Sequence, residues 1–282
     1  MPKPLFIWAG GKNKMLKHYL PLLPSPFDSP THYCEPFFGG GAMFIHAMET
    51  YQIEHAFLND INPDIIRVYS SIRDHLSEFQ KRIDQLEAKY LPLKIEDRKT
   101  YYYEVREEHA WHFEKWNEVE ESATLYFLMK TGFNGIFQIN QNTNGRYGTP
   151  SGLLNQKDVV YNRADVEWWH EALKITTLTS TDWKECAESA PDDSYFFFDP
   201  PYRESCADYG NAFSDEKCLE LIEFCQDKPT TYHSNRADDD WFEDKCGALS
   251  YRYFPVTYTA GRRKRTGDGF EAKKAREILL YS

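Results

Sequence analysis

An α/β fold carrying a mainly helical insertion is what the sequence predicts, and three observations predict it. The chain opens with helix, strand, Gly-rich turn, helix, strand and acid over its first 60 residues, which is half of an α/β nucleotide-binding unit. From about residue 62 to 172 the text turns rich in Glu, Lys, Tyr and Trp with a helical period and few strand signals. Near Ile175 the α/β pattern resumes, and Tyr195-Phe196-Phe197-Phe198 is a continuous apolar run of the kind a buried parallel strand requires.

In chain order, Met15, Leu16, Tyr19 and Leu20 set a helical pattern over 12–24 that stops at Pro24. A short strand, His32-Tyr33-Cys34, leads into Glu35-Pro36-Phe37-Phe38-Gly39-Gly40-Gly41, and an apolar helix follows from Ala42 to about Thr50. His55 to Asn59 reads as a second buried strand ending at Asp60. Residues 64–90 and 99–131 suit long amphipathic helices, and 140–152 is a polar, Gly-rich loop or hairpin. Later come a strand at Ile175–Leu178, a helix over 214–226, strands at Thr230–His233 and 249–259, and a short one at Ile278–Tyr281. The expected division is a discontinuous catalytic domain, 1–61 with 173–282, and an insertion, 62–172.

The 282 residues are 41% hydrophobic and 16% aromatic, enough to build a core and to exclude a disordered chain. No apolar run approaches the ~18 residues of a membrane span, and the lysines at 12, 14 and 17 break any leader-like start, so the expected setting is the cytoplasm. Six cysteines include no C-x-x-C pair, which removes zinc-ribbon and thioredoxin readings. Net charge is -11, yet residues 262–276 hold seven basic residues, Arg262 and Arg263 among them, against two acids. Such a patch can meet a phosphate backbone locally, or it can be a solvated loop.

The Gly39–Gly41 turn is weak as a dinucleotide fingerprint, because Phe44 stands where a third glycine belongs. Asp60, 19 residues after Gly41, suits an acid that grips ribose hydroxyls, but alone the turn fits a plain strand-to-helix connection equally well. Gly10-Gly11-Lys12 is not a P-loop, since Phe6 and Asn13 occupy required positions. Asp238-Asp239-Asp240 lacks accompanying His or Asn and reads as a solvated turn rather than a metal site. No G-x-S-x-G elbow accompanies His233-Ser234. Trp168, Trp169 and Trp183 read as packing rather than stacking platforms. Asp199-Pro200-Pro201-Tyr202 is the strongest feature. Two prolines after a buried strand fix a rigid backbone and leave a carboxylate at the strand's carboxyl end, where open α/β sheets bind ligands.

Taken together, Trp8-Ala9-Gly10-Gly11-Lys12, the Glu35–Gly41 stretch, Asp60-Ile61-Asn62-Pro63-Asp64 and Asp199-Pro200-Pro201-Tyr202 resemble, in order, the motifs of Dam-type DNA adenine N6-methyltransferases. Thr131-Gly132-Phe133-Asn134-Gly135 and the loop Asn144–Gly152 resemble that family's target-recognition segment. The resemblance implies a Rossmann-like sheet with an inserted recognition domain, S-adenosylmethionine as cofactor, no metal, double-stranded DNA as partner, and a monomer or weak dimer. It implies cofactor contacts at Trp8, Gly10, Lys12, Phe37, Gly39, Gly41, Asp60, Asp182 and Asp199. It implies catalytic roles for Asp199, Pro200 and Tyr202, with the two N–H bonds of an adenine N6 accepted by the Asp199 carboxylate and the Pro200 carbonyl. The base must leave the duplex, and Tyr202 can stack on it.

DNA contacts are expected from Asn134, Gln138, Asn140, Arg146, Tyr147, Arg262 and Arg263. In family members that read GATC, an Arg stands where this chain has Gln138. Arg matches guanine O6 and N7, whereas Gln suits adenine, so an altered or relaxed target is expected. Two rivals remain at this point: a nucleic-acid-binding protein with an idle site, and an enzyme acting on RNA or on cytosine N4. Asp199, where N4-cytosine relatives tend to carry Ser, favours adenine.

Overall fold

The computed structural model describes residues 2–8, 12–27, 30–152, 158–203, 213–258, 264–266, 269–271 and 273–282, with side chains given outside 257–274. Its elements are α1 (Asn13–Tyr19), β1 (His32–Glu35), α2 (Ala42–Thr50), β2 (His55–Asn59), α3 (Pro63–Tyr90), α4 (Ile95–Trp111), α5 (Glu118–Thr131), β3 (Ile139–Asn140), β4 (Arg146–Tyr147), α6 (Arg163–Leu173), β5 (Thr176–Thr179), α7 (Trp183–Ser189), β6 (Tyr195–Phe198), α8 (Asp215–Gln226), β7 (Thr231–Arg236), α9 (Trp241–Lys245), β8 (Ser250–Tyr258), β9 (Lys264–Thr266), β10 (Gly269–Glu271) and β11 (Lys273–Tyr281).

Seven strands form one sheet in the order β5-β2-β1-β6-β7-β11-β8. The first five are parallel, and β11 runs antiparallel between β7 and β8. From β1 the chain winds outward to β2 and then β5. It next crosses back through α7 to β6 on the other side of β1. The carboxyl ends of β1 and β6 therefore flank the reversal point, where side chains and loops diverge and leave a crevice.

Alternation along the strands explains why helices cover both faces. Tyr33, Tyr195, Phe197 and Tyr232 pack with residues of α1, α2, α3, α5 and α6. Cys34, Phe196 and Phe198 point to the other face, against Trp183 and Cys186 of α7, Leu221 and Ile222 of α8, and Phe242 of α9. Of the three tryptophans read as packing, Trp169 and Trp183 are buried, and Trp168 is half-buried against the core.

Two expectations are corrected. The helix read over 99–131 is two helices, because Asn117 starts α5 with a reciprocal capping box to Glu120. The short strand read at Ile278–Tyr281 is longer, beginning at Lys273, and it lies between β7 and β8. The polar 140–152 stretch holds a minimal hairpin, β3 with β4. The connection from β2 to its neighbour β5 contains α3 to α6, so the whole helical segment hangs from one edge of the sheet. Among the described residues no helix is long and apolar enough to cross a membrane.

Candidate active site

The loop after β1 is held by the end of β2. Buried Asn59 donates from Nδ2 to the carbonyls of Pro36 (3.0 Å) and Thr181 (3.1 Å), and its Oδ1 accepts from the Thr181 amide at 2.9 Å. One side chain thus pins the loops after β1 and β5 to β2. The next residue, Asp60, accepts from the amides of Gly39 (2.8 Å) and Asn62 (2.9 Å). Burial raises its pKa, and those two amides oppose the rise.

The glycine turn is required here. Gly41 sits at φ +69°, and a Cβ would lie 2.5 Å from Trp169. Gly39 sits at φ +47°, and a Cβ there would lie 2.7 Å from the Trp8 indole. Trp8 therefore lies directly over the turn, and its ring also meets Phe137 at 6.1 Å.

On the other side of the reversal point, Asp199 follows β6. Lys12 Nζ contacts its Oδ1 at 2.7 Å and donates to the Tyr202 hydroxyl at 3.0 Å. The ammonium also lies 5.0 Å from the Tyr202 ring centre. Lys12 is only 2% exposed. Burial alone would lower its pKa, but Asp199 and then Glu277 outweigh this and hold it above the usual lysine value. Burial pushes the Asp199 carboxyl up to about 6, Lys12 opposes that rise, and Glu277 adds to it.

Three residues that the sequence reading did not single out belong to this cluster. Tyr202 donates to Glu277 Oε1 at 3.0 Å, and Tyr19 donates to Glu277 Oε2 at 3.1 Å. Glu35, at the end of β1, accepts from the Tyr33 hydroxyl at 2.8 Å; burial raises its pKa well above the carboxylate range, against that hydrogen bond. The available signal was an acid embedded in an apolar strand, as in Arg276-Glu277-Ile278-Leu279-Leu280.

Lys12, Glu35, Asp199, Tyr202 and Glu277 line one open cleft of 1660 Å³. That exceeds the usual ~300–1,000 Å³ small-molecule pocket and leaves room for a cofactor and a base together. Along it Phe37 stacks with Trp183 (6.4 Å, 25°) and meets Phe213 edge-on at 5.6 Å. Asp182, also in the lining, caps α7 through the Lys184 amide at 3.1 Å and lies 3.8 Å from Lys217.

The structure thus gathers Trp8, Lys12, Phe37, Gly39, Gly41, Asp60, Asp182, Asp199, Pro200 and Tyr202 on one cleft. Gly10, Arg262 and Arg263 lie outside the described residues. Asn134, at φ +53°, reaches the cleft edge with Ile136, Phe137 and Ile139. Gln138 and Asn140 are exposed beside it, and Asn140 Oδ1 accepts from the Asn142 amide at 2.9 Å. Arg146 stands apart, paired with Glu121 and 3.9 Å over the Phe113 ring, and Tyr147 is fully buried. Among the described residues no three His, Cys, Asp or Glu side chains are grouped to hold a metal.

A family model for D12 class N6 adenine-specific DNA methyltransferases matches residues 8–244. The chain belongs to this family. Among its relatives, the Type II methyltransferase M.CviBI of Paramecium bursaria Chlorella virus NC1A is 32% identical over 226 residues, covering 79% of this chain and 78% of that one. The Type II methyltransferase M.MjaIII of Methanocaldococcus jannaschii is 28% identical over 203 residues, covering 71% and 69%. The retron Ec67 DNA adenine methylase of Escherichia coli is 24% identical over 279 residues, covering 98% and 90%. As a member of the D12 class, this methyltransferase adds a methyl group to the N6 amine of adenine in DNA. Membership implies S-adenosylmethionine as donor.

Proposed function

We propose that the cleft binds S-adenosylmethionine along the Gly39–Gly41 turn and a flipped adenine at Asp199-Pro200-Pro201-Tyr202. The single observation that carries this is the Lys12–Asp199 pair at the mouth of the reversal point. The residues suit the cofactor on two counts. Gly39, Gly40 and Gly41 line the cleft without side chains of their own, so backbone rather than side chain forms that wall. Of the charged groups lining the cleft, the buried ones are Glu35, Asp60, Glu277 and Lys12, with Asp199 partly buried beside Lys12, so its inner wall is richer in carboxyl groups than in cations, which suits a cationic ligand. Asp60 would serve the ribose, Asp182 the adenine amine, and Phe37 with Trp8 the flanking apolar walls. When bound, the cofactor supplies an electrophilic methyl group on a positively charged sulfur.

The protein's part is positioning and charge. An adenine N6 lone pair is delocalised into the ring and makes a poor nucleophile. Lys12 engages Asp199 Oδ1, so Oδ2 and the Pro200 carbonyl are assigned to the two N6 N–H bonds. Accepting both favours a pyramidal nitrogen with a directed lone pair. Lys12 favours the ionised form of Asp199, which accepting those bonds requires. Tyr202, fixed through its hydroxyl by Lys12 and Glu277, presents its ring as the stacking surface. No metal enters this scheme.

In this reading residues 1–61 and 173–282 are the catalytic domain and 62–172 the recognition insertion, whose hairpin edge at Asn134, Gln138 and Asn140 faces double-stranded DNA beside the cleft. Arg262 and Arg263 add phosphate contacts. With Gln138 at the guanine-reading position, the target is relaxed or differs from GATC. The proposed enzyme is a monomer or weak dimer working on DNA in the cytoplasm. Against the rivals, an idle binding protein and an RNA or cytosine N4 enzyme, stands the match to the DNA adenine N6 family. The test is transfer of tritiated methyl to plasmid DNA with mapping of the modified bases. Asp199→Ala should abolish transfer in a folded protein, and near wild-type turnover would overturn the assignment. Methylation confined to GATC, at partial and complete extent, would overturn the Gln138 reading.

A further inference from the structure

We propose that Arg203 is a positioning residue of the methyl-transfer site: its guanidinium ties the wall that receives adenine, at Tyr202, to the wall that receives the cofactor, at Phe213. This rests on the assignment of the two ends of the cleft under the proposed function. Arg203 follows Tyr202 directly, and Asp215 comes two residues after Phe213. Nη1 of Arg203 lies 3.4 Å from Asp215 Oδ2, and Nη2 pairs with Asp239. The guanidinium also stands 4.8 Å from the centre of the Trp241 ring. The Arg203 backbone amide donates to Oδ1 of buried Asn235 at 3.4 Å. One residue therefore touches the start of α8, the start of α9 and the end of β7.

The acids that hold it are themselves held. The Asp238-Asp239-Asp240 run is more than a solvated turn, because each position meets an arginine from a different stretch of chain. Asp238 pairs with Arg236, Asp239 with Arg203, and Asp240 with Arg276 at 3.3 Å. Asp239 Oδ1 accepts from the Trp241 amide at 3.2 Å, which aims Oδ2 at Arg203. Arg276 Nε donates to the Ala237 carbonyl at 3.2 Å and joins this turn to β11. A lone exposed ion pair is a weak fastening, since it is screened and must order two long side chains. Arg203 differs: its side chain is only 12% exposed, rests on an indole, and offers a planar fork to two acids at once.

The chemistry explains why such a fastening belongs here. A displacement at carbon needs the attacking nitrogen and the leaving sulfur in line, and a misplacement of about 1 Å can cost about a hundredfold in rate. Adenine and cofactor rest on separate stretches, Tyr202 after β6 and Phe213 before α8. Phe213 in turn meets Phe37 in the loop that leads to Gly39. Fixing both stretches to one rigid guanidinium sets their spacing.

The test is a double-mutant cycle of Arg203→Gln and Asp215→Asn, read by calorimetry of S-adenosylmethionine binding without DNA. Each single variant should weaken binding about fivefold, and the double variant should be no weaker than the worse single, because the same tie is lost in all three. Additive losses, or unchanged binding in either single variant, overturn the tie. The second readout is single-turnover methyl transfer to plasmid DNA with both ligands saturating. Asp215→Asn and Asp239→Asn each remove one arm of the fork and should each slow transfer about tenfold, with the affinity for DNA unchanged. Arg203→Lys keeps the charge without the fork and should be as slow as Arg203→Gln; full rate in Arg203→Lys overturns the bridging role. A salt slope of DNA binding smaller by about one in Arg203→Gln makes Arg203 a phosphate contact and overturns it too. A lowered thermal midpoint with wild-type binding and rate marks a merely structural role and overturns it. An active Asp199→Ala would overturn the adenine assignment alone, because the calorimetric cycle involves neither DNA nor Asp199 chemistry.

Discussion

Replacing Asp199 by Asn should produce an inactive enzyme that is more stable than the natural one, and only on one side of a pH boundary. The Asp199 carboxyl titrates at about 6 in the folded protein, raised first by burial. In the unfolded chain it returns to ~3.9. The folded state therefore holds the proton more tightly. Below about pH 4 both states are protonated and Asp199 costs nothing. As pH rises from about 4 to 6 the unfolded chain ionises first, and the cost grows to about 3 kcal/mol, for two units at 1.36 kcal/mol each. Above pH 6 it is fully present. Asn keeps the shape without the charge and leaves Lys12 with Glu277 as its remaining anionic neighbour, so the gain should approach that figure. Urea unfolding at pH 4 and pH 8 measures it. A large gain in midpoint at pH 8 and almost none at pH 4 is expected, with turnover lost at both. Equal stability at pH 8, or the same gain at both pH values, would refute the reasoning.

Three further outcomes are expected. Gly41→Ala combines a left-handed backbone with a Cβ 2.5 Å from Trp169, so it should lose at least ~1–3 kcal/mol in thermal unfolding and weaken cofactor binding in calorimetry. Arg146→Ala breaks the pair with Glu121 and the stack on Phe113, so it should lower the unfolding midpoint while leaving the salt slope of DNA binding unchanged. Replacing Arg262, Arg263 and Lys264 together by Ala should weaken binding equally for all sequences, and the slope of log K against log salt should shrink by ~1 per lost phosphate contact in a titration.

Much of this was legible in the sequence because the constraints are local. A Gly with positive φ, a run of four aromatic and apolar residues, and two prolines after an acid each dictate the backbone around them, and they located β1, β6 and the cleft between. The helix over 214–226 and the strand over 55–59 were equally clear from their periods. What stayed hidden depends on distant partners. Nothing near Lys12 in the chain says that it is buried against Asp199, and nothing near Glu277 says that Tyr19 and Tyr202 serve it. Asn59 reads as a strand residue, yet it fastens the loops after β1 and β5 to β2. Arg146 carries the charge expected of a DNA contact, and only the fold shows that Glu121 already occupies it. The break at Asn117 lay inside a stretch that reads as one helical period, and it shows only in the reciprocal bonds with Glu120.

The contacts of the site also span the chain. Lys12 and Tyr202 are 190 positions apart, and Tyr19 and Glu277 are 258 apart. A folding intermediate with only its local helices in place contains no fragment of the catalytic cluster, since each pair awaits the docking of remote strands. The chain cannot bind or methylate before its sheet closes, so a half-folded copy is chemically silent towards DNA. Conversely, a ligand seated in the cleft resists unfolding of the entire sheet rather than of one loop. A thermal shift caused by cofactor in a crude preparation would count molecules whose seven strands are all in place.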